Sequence, residues 1–229
     1  MSYGYLIKAR VWPTTLTVIP LLVFIMWIIS PLYWTSLAAI YGVLPYVANL
    51  GSSAALLYLA MHVNRILAKE VFQKIYFRRE QAMPTTDFLL WKDSFYPIEI
   101  KNLLHQRIFT KFGILLFDLG TENSDEDKAR NIITVAVSQI RNALRGNRML
   151  LQHNIEYGFI RNLLGGCLQA VFFSLIIIVI AHSMRNSVLF TGGIIMLSIY
   201  TLPLLFSKWI LNRYGQNYAK ILFEQFLSI

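Results

Sequence analysis

Asp87 and Asp93 are the residues of this chain best placed for chemistry. They flank a Phe-Leu-Leu-Trp run within MPTTDFLLWKDSFYP, Met83 to Pro97. Two carboxylates at such spacing can divide acid and base work between them. No nucleophile or cofactor motif stands beside this pair. His62, His105, His153 and His182 are scattered, with His105 one helical turn after Lys101, as on a solvated face. The chain has no HExxH, GxSxG, Walker loop or GxGxxG. The acidic run at Ser124–Lys128 lacks the alternating Asp/Asn pattern and glycine of a calcium loop. Cys167, the one cysteine, lies in LLGGCLQAVFF and reads as a buried apolar thiol. The expectation is therefore no catalytic residue, no metal and no cofactor.

The elements that must position these residues are mostly apolar. Of 229 residues, 56% are hydrophobic and 14% charged, well under the roughly 25% of a soluble domain. Mean hydropathy is +0.51. The formal charge of +9 would point to nucleic acid in a soluble protein; in a membrane protein it first marks the cytoplasmic side.

Four apolar stretches stand out: Trp12–Ile29, Leu32–Val63, Asn162–His182 and Ser187–Phe206. About 20 apolar residues cross a bilayer. The second stretch is too long for one crossing, so it must tilt, protrude or break, with Pro45 and Asn49–Ser53 as the candidate break. The segment 64–161 holds 15 of 21 basic and 11 of 12 acidic residues, and only Arg185 lies in the outer connections. This is a positive-inside pattern. Span one has no small-x-small cleavage site before Pro31 and reads as an uncleaved anchor.

The expected fold is an all-α integral membrane protein, two transmembrane helical hairpins flanking a small helical cytoplasmic module. Its parts are an N-terminal hairpin over 1–63 (spans about 12–30 and 33–63), the module over 64–161, a C-terminal hairpin over 162–207 (spans about 162–182 and 187–206) and a tail over 208–229. Both termini and 64–161 are expected in the cytoplasm.

Within the module, Asn64–Glu80 predicts a helix leaving span two, with Ile66, Leu67, Val71 and Ile75 on one face. Pro84 opens a short helix, capped by Thr85, Thr86 or Asp87. Asp93 or Ser94 caps the next, which has Leu103, Leu104 and Ile108 inward. Ser124 and Asp127 resemble a capping box for a helix whose stripe is Ala129, Ile132, Ile133, Ala136, Val137, Ile140, Ala143 and Leu144, stopped at Gly146. Residues placed to contact a protein or nucleic-acid partner are Lys74, Arg78, Arg79, Asp87, Trp91, Arg141, Arg145 and Arg148. Within the spans, Asn49 and Gln169 are polar, and Gly166, Ala170 and Ser174 repeat at i, i+4, i+8, a small-residue packing face. That face serves either the chain's own hairpin or a homo-oligomer, and these residues are the packing or pore candidates.

Three segments carry a resemblance: RVWPTTL before span one, PTTDFLLWKDSFYPIEIKNLLHQRI after span two and HNIEYGFIRNLLG before span three. Together they resemble a family of small bacterial transmembrane proteins of antiphage defence operons, most like the transmembrane effector of a retron. Related layouts occur in cyclic-oligonucleotide defence systems. The resemblance implies a toxin held inactive by a reverse transcriptase with its multicopy single-stranded DNA, which permeabilises the inner membrane on infection and arrests growth. It supplies no site residue. A nucleotide-gated membrane effector, an integral-membrane enzyme and an assembly factor remain alternatives.

Overall fold

The computed structural model of the protein describes residues 3–29, 45–78 and 80–229, the side chains of 45–50 and 52 excepted. All regular structure among them is helical. The chain divides into two compact units, one of Met1–Val71 with Gly158–Ser207, the other of Phe72–Tyr157 with Lys208–Ile229.

The first unit opens with α1 (Tyr3–Leu6), a π-helical turn Ile7–Val11, α2 (Trp12–Thr17), α3 (Ile19–Phe24) and a second π turn Ile25–Ile29. Pro13 and Pro20 sit in the first turns of α2 and α3, where a missing N–H is tolerated. The helical stretches Tyr3–Thr17 and Ile19–Ile29 meet at a 44° bend. α4 (Pro45–Leu67) follows, then a third π turn, Ala68–Gln73. α10 (Arg148–Ser183) and α11 (Ser187–Leu205) complete the unit, α10 from Gly158 onward. Both are long and apolar enough to cross a membrane, and the bent pair would make a third crossing.

One sequence expectation changes here. α4 is described from Pro45 and runs unbroken through Asn49–Ser53, so no break lies in that stretch. The neighbouring apolar turns carry Gly51. Of the crossing expected over 33–63, residues 33–44 lie outside the described residues.

The second unit contains α5 (Lys74–Phe77), α6 (Pro84–Asp87), α7 (Ile98–Phe112), α8 (Leu119–Ser124), α9 (Glu126–Ala143), the start of α10, and α12 (Ser207–Leu227) from Lys208 onward. Its core joins Phe88, Leu89, Leu90, Leu104, Ile108, Ile133, Val137 and Ile140 with Leu222, Phe223 and Phe226. Each such side chain contributes about 1.5–3 kcal/mol on burial. Residues 208–229, set apart in sequence as a tail, thus supply a wall of this core. Ile66 and Ile75 are exposed while Ala68 and Phe72 are buried, because the π turn between them rotates the apolar face. The helix expected to start at Ser124 starts at Glu126, and a separate short helix, Leu119–Ser124, precedes it across Asp125. The capping box is replaced by Asp118 and Asp125, which accept from the N–H groups of Thr121 (2.7 Å) and Lys128 (3.0 Å).

Candidate functional site: a polar seam and a charge-braced turn

In the first unit, the seam begins with proline. A proline offers no N–H to the carbonyl four residues back. For Pro13 that carbonyl belongs to Ala9, and it accepts from Asn162 Nδ2 on α10 at 2.6 Å. For Pro20 it belongs to Leu16, and it accepts from the Tyr200 hydroxyl on α11 at 2.7 Å. Two helices thus reach over to serve the two carbonyls that proline leaves without their usual donors. Between them, Asn64 Nδ2 on α4 donates to Thr14 Oγ1 (3.2 Å) and Thr17 Oγ1 (3.3 Å), whose own hydroxyls donate back to the carbonyls of Arg10 and Pro13 (both 2.9 Å). Thr14, Thr17, Asn64 and Asn162 are all buried.

Glycine lets these helices approach. A Cβ on Gly165 would lie 2.1 Å from the Asn64 carbonyl, and one on Gly166 2.1 Å from Thr17 Oγ1. The seam is incompletely satisfied: Asn64 Oδ1 and Asn162 Oδ1 are buried and have no hydrogen-bond partner among the described residues. A buried polar atom without a partner costs about 1–3 kcal/mol.

The small-residue face lies within this packing. Gly166 meets Thr17 and Asn64. Ala170, 1% exposed, packs with Cys167 and Tyr200, and Ser174 is buried and donates to the Ala170 carbonyl at 2.8 Å. These residues are occupied by the chain's own helices, so they present no face to a second copy. Gln169 is half-buried. Asn49 falls in α4, and its side chain lies outside the described residues.

In the second unit, the notable structure is the turn after α6. Phe88, Leu89 and Leu90 plug the core. The peptide groups beside them have no helix or sheet to pair with, and charged side chains take that role. Glu122, 2% exposed, accepts from the N–H of Trp91 (3.0 Å) and of Lys92 (3.3 Å). Lys101, also 2% exposed, donates to the carbonyls of Leu90 (2.7 Å), Trp91 (3.2 Å) and Asp93. His105 Nε2 bonds the Leu89 carbonyl at 2.8 Å, and its ring lies 4.5 Å from that of Trp91. The expectation of a solvated face at Lys101 and His105 is therefore corrected: both turn inward because the turn's carbonyls need donors. Burial lowers the pKa of each, the Leu89 bond and Glu122 opposing the shift at His105.

The contact candidates divide. Asp87 accepts from Arg130 at 2.7 Å, and Arg130 also bonds Glu126 (2.8 Å) and the Gln81 carbonyl (2.6 Å). Burial raises the Asp87 pKa, only partly offset by Arg130, whereas bonds from Lys92 and then Arg130 lower that of Glu126. Asp93 Oδ1 accepts from the Phe95 N–H at 2.9 Å while Asp87 holds Arg130, and the Asp93 charge adds to the rise of the Asp87 pKa. Trp91 Nε1 donates to the Phe117 carbonyl at 2.7 Å, which makes this residue a packing group. Arg78 lies 3.6 Å from Asp127, and Arg141 reaches Glu80 at 3.2 Å and sits over the Tyr218 ring. Lys74, Arg145 and Arg148 are exposed, and Arg79 lies outside the described residues. No group of three or more His, Cys, Asp or Glu among the described residues is arranged to hold a metal.

Sequence reasoning missed Thr14, Thr17, Asn64, Asn162, Tyr200, Glu122 and Arg130 as a positioned set. Pro13 and Pro20 carried a signal, since each names the carbonyl that will need an outside donor. Nothing in the sequence marked which donor would come.

No family model matches this chain, and neither a curated protein nor a solved structure matches it.

Proposed function

We propose that the chain is a multi-pass protein of a bacterial inner membrane that acts as a defence effector, with two membrane hairpins, cytoplasmic termini and a cytoplasmic helical unit. A reverse transcriptase with its multicopy single-stranded DNA holds it inactive. On release the span helices repack, the membrane loses its potential and growth stops. No step requires a catalytic residue or a cofactor.

The observation that carries this reading is the polar seam. Hydrogen bonds between membrane helices average only about 0.6 kcal/mol, and here two buried acceptors have no partner among the described residues. Such packing holds one arrangement by a narrow margin, as a switchable membrane-damaging protein requires. The apolar helices α10 and α11 supply the membrane context. Induced expression with a potential-sensitive dye tests it. Without the partner, potential and viability fall together; with the partner co-expressed, both persist. A chain that leaves both unchanged in the absence of its partner refutes the reading.

One observation favours gating by a cyclic oligonucleotide instead. A groove of about 480 Å³ on the second unit is lined by Leu103, Gln106, Arg107, Thr110, Lys111 and Ile229, with two cations one helical turn apart. Thermal stabilisation of the full chain by a cyclic oligonucleotide would select this second reading.

A further inference from the structure

We infer that the stripe of α12 formed by exposed Trp209, Arg213 and Lys220 with half-buried Gln216 is an interfacial surface for anionic phospholipid headgroups. The inference rests on the membrane reading above. It starts from helix periodicity. Leu211, Tyr218, Ala219, Leu222, Phe223 and Phe226 are buried, while Trp209, Arg213 and Lys220 recur on the exposed side and Gln216 lies at its half-buried edge. The stripe runs about 17 Å along the helix.

Its chemistry is that of a lipid interface. Trp209 is 70% exposed, although burying an indole is ordinarily among the largest gains a side chain offers. Tryptophan is enriched at headgroup level, where its ring is half apolar and its N–H can reach water. Arg213 is exposed and has no ion-pair partner among the described residues, and Lys220 has only Glu224, 3.8 Å away at a half-exposed site. Each basic side chain at an anionic leaflet contributes about 1 kcal/mol.

Chain connectivity favours lipid over any other polyanion. α11 ends at Leu205, and Trp209 follows four residues later, within roughly 14 Å of chain. Leu205 and Phe206 are themselves 72% and 54% exposed. The stripe thus follows directly on an apolar helix that qualifies as a crossing. Single-stranded nucleic acid also pairs with aromatic and basic groups, but would not require them at the foot of a span.

The experiment uses the full chain in nanodiscs, with a nitroxide at Gln216→Cys in a Cys167→Ala background. Collision rates with oxygen and with an aqueous nickel chelate read its depth. Discs of phosphatidylcholine alone are compared with discs containing phosphatidylglycerol. The expected result is headgroup depth that increases with phosphatidylglycerol, and about fivefold weaker retention of that lipid on Arg213→Glu. A label at Ile195→Cys, on the exposed side of α11, tests the membrane reading separately. If 195 is lipid-exposed and 216 is aqueous in both discs, this inference is overturned and the membrane reading stands. If 195 is aqueous, both fall. If added single-stranded DNA shields 216 regardless of lipid, the stripe belongs to nucleic acid and the inference is overturned.

Discussion

Replacing Lys101 with methionine should loosen one turn and little else. Methionine keeps most of the apolar stem and removes the ammonium. Three carbonyls lose their donor: those of Leu90, Trp91 and Asp93. A hydrogen bond to a charged group contributes about 1.5–3 kcal/mol. Trp91 and Asp93 are half-buried, so water takes over much of what they lose; Leu90 is 1% exposed and keeps only the longer bond from the Asp93 N–H at 3.3 Å. Removing a desolvated cation gives some stability back, as the lowered pKa of Lys101 indicates. The balance is a loss of about 2–3 kcal/mol, or roughly 30- to 150-fold faster amide exchange at Trp91 and Lys92. Hydrogen exchange with mass spectrometry on the full chain reads this locally, which matters because a two-unit protein has no single unfolding free energy. Lys92→Met is the comparison. Its ion pair with Glu126 is exposed, and such pairs contribute at most about 1 kcal/mol. If Lys101→Met leaves exchange at Trp91 and Lys92 as slow as in the parent chain, the brace is incidental and core packing of Leu89 and Leu90 holds the turn.

Tyr200→Phe and Asn162→Leu each remove a donor to a proline-orphaned carbonyl and should lower stability in detergent-driven unfolding by about 0.5–2 kcal/mol; no change in either would sink the idea that the seam fixes the first helices. Gly165→Ala should disturb the first unit far more than Gly192→Ala, because its Cβ would meet the Asn64 carbonyl at 2.1 Å while that of Gly192 meets nothing within 4 Å; equal unfolding midpoints would refute this. The pKa of His105 is lowered by burial from its ordinary 6.5, so the unfolded chain binds the proton more readily. Local stability near Leu89 is therefore fully present above pH 6.5 and is lost as pH falls below it towards the folded pKa. Exchange at this turn measured between pH 7 and 5, corrected for intrinsic rates, should show that loss, and His105→Gln should flatten it.

Helix content and apolar stretches were legible because they rest on local patterns: the stripe Ala129–Ile133–Val137–Ile140 is buried as its spacing requires. What could not be read were partners far apart in sequence. Asn162 and Ala9 are 153 positions apart, and Tyr200 and Leu16 are 184. Periodicity says that Asn162 is on a helix and not what it will meet. Charge signs misled for a related reason. Lys101 looked solvated because Lys is almost never fully buried unless paired, and its partners here, like those of Glu122, are backbone groups of a turn whose shape sequence does not give. The π turn at Ala68–Gln73 shifted an apolar face that strict 3.6-residue spacing had placed on Ile66 and Ile75.

These two kinds of buried polarity have opposite physical consequences. Around Leu89–Asp93, Glu122, Lys101 and His105 bond two N–H groups and four carbonyls of the turn, and such a network raises the barrier to any alternative arrangement. In the seam the amide and hydroxyl donors are used while Asn64 Oδ1 and Asn162 Oδ1 are not, so an alternative that pairs them would recover part of the penalty already present. Water or a moved hydroxyl at those two acceptors is the least change that does so. The span helices are accordingly where a conformational change is least opposed, and the braced turn is where it is most opposed. Asn64→Leu would remove the unpaired acceptor together with the amide that links Thr14 and Thr17. For the proposed effector it should abolish depolarisation while leaving exchange at Trp91 and Lys92 unchanged; depolarisation at the parent level would show that the seam takes no part in the switch.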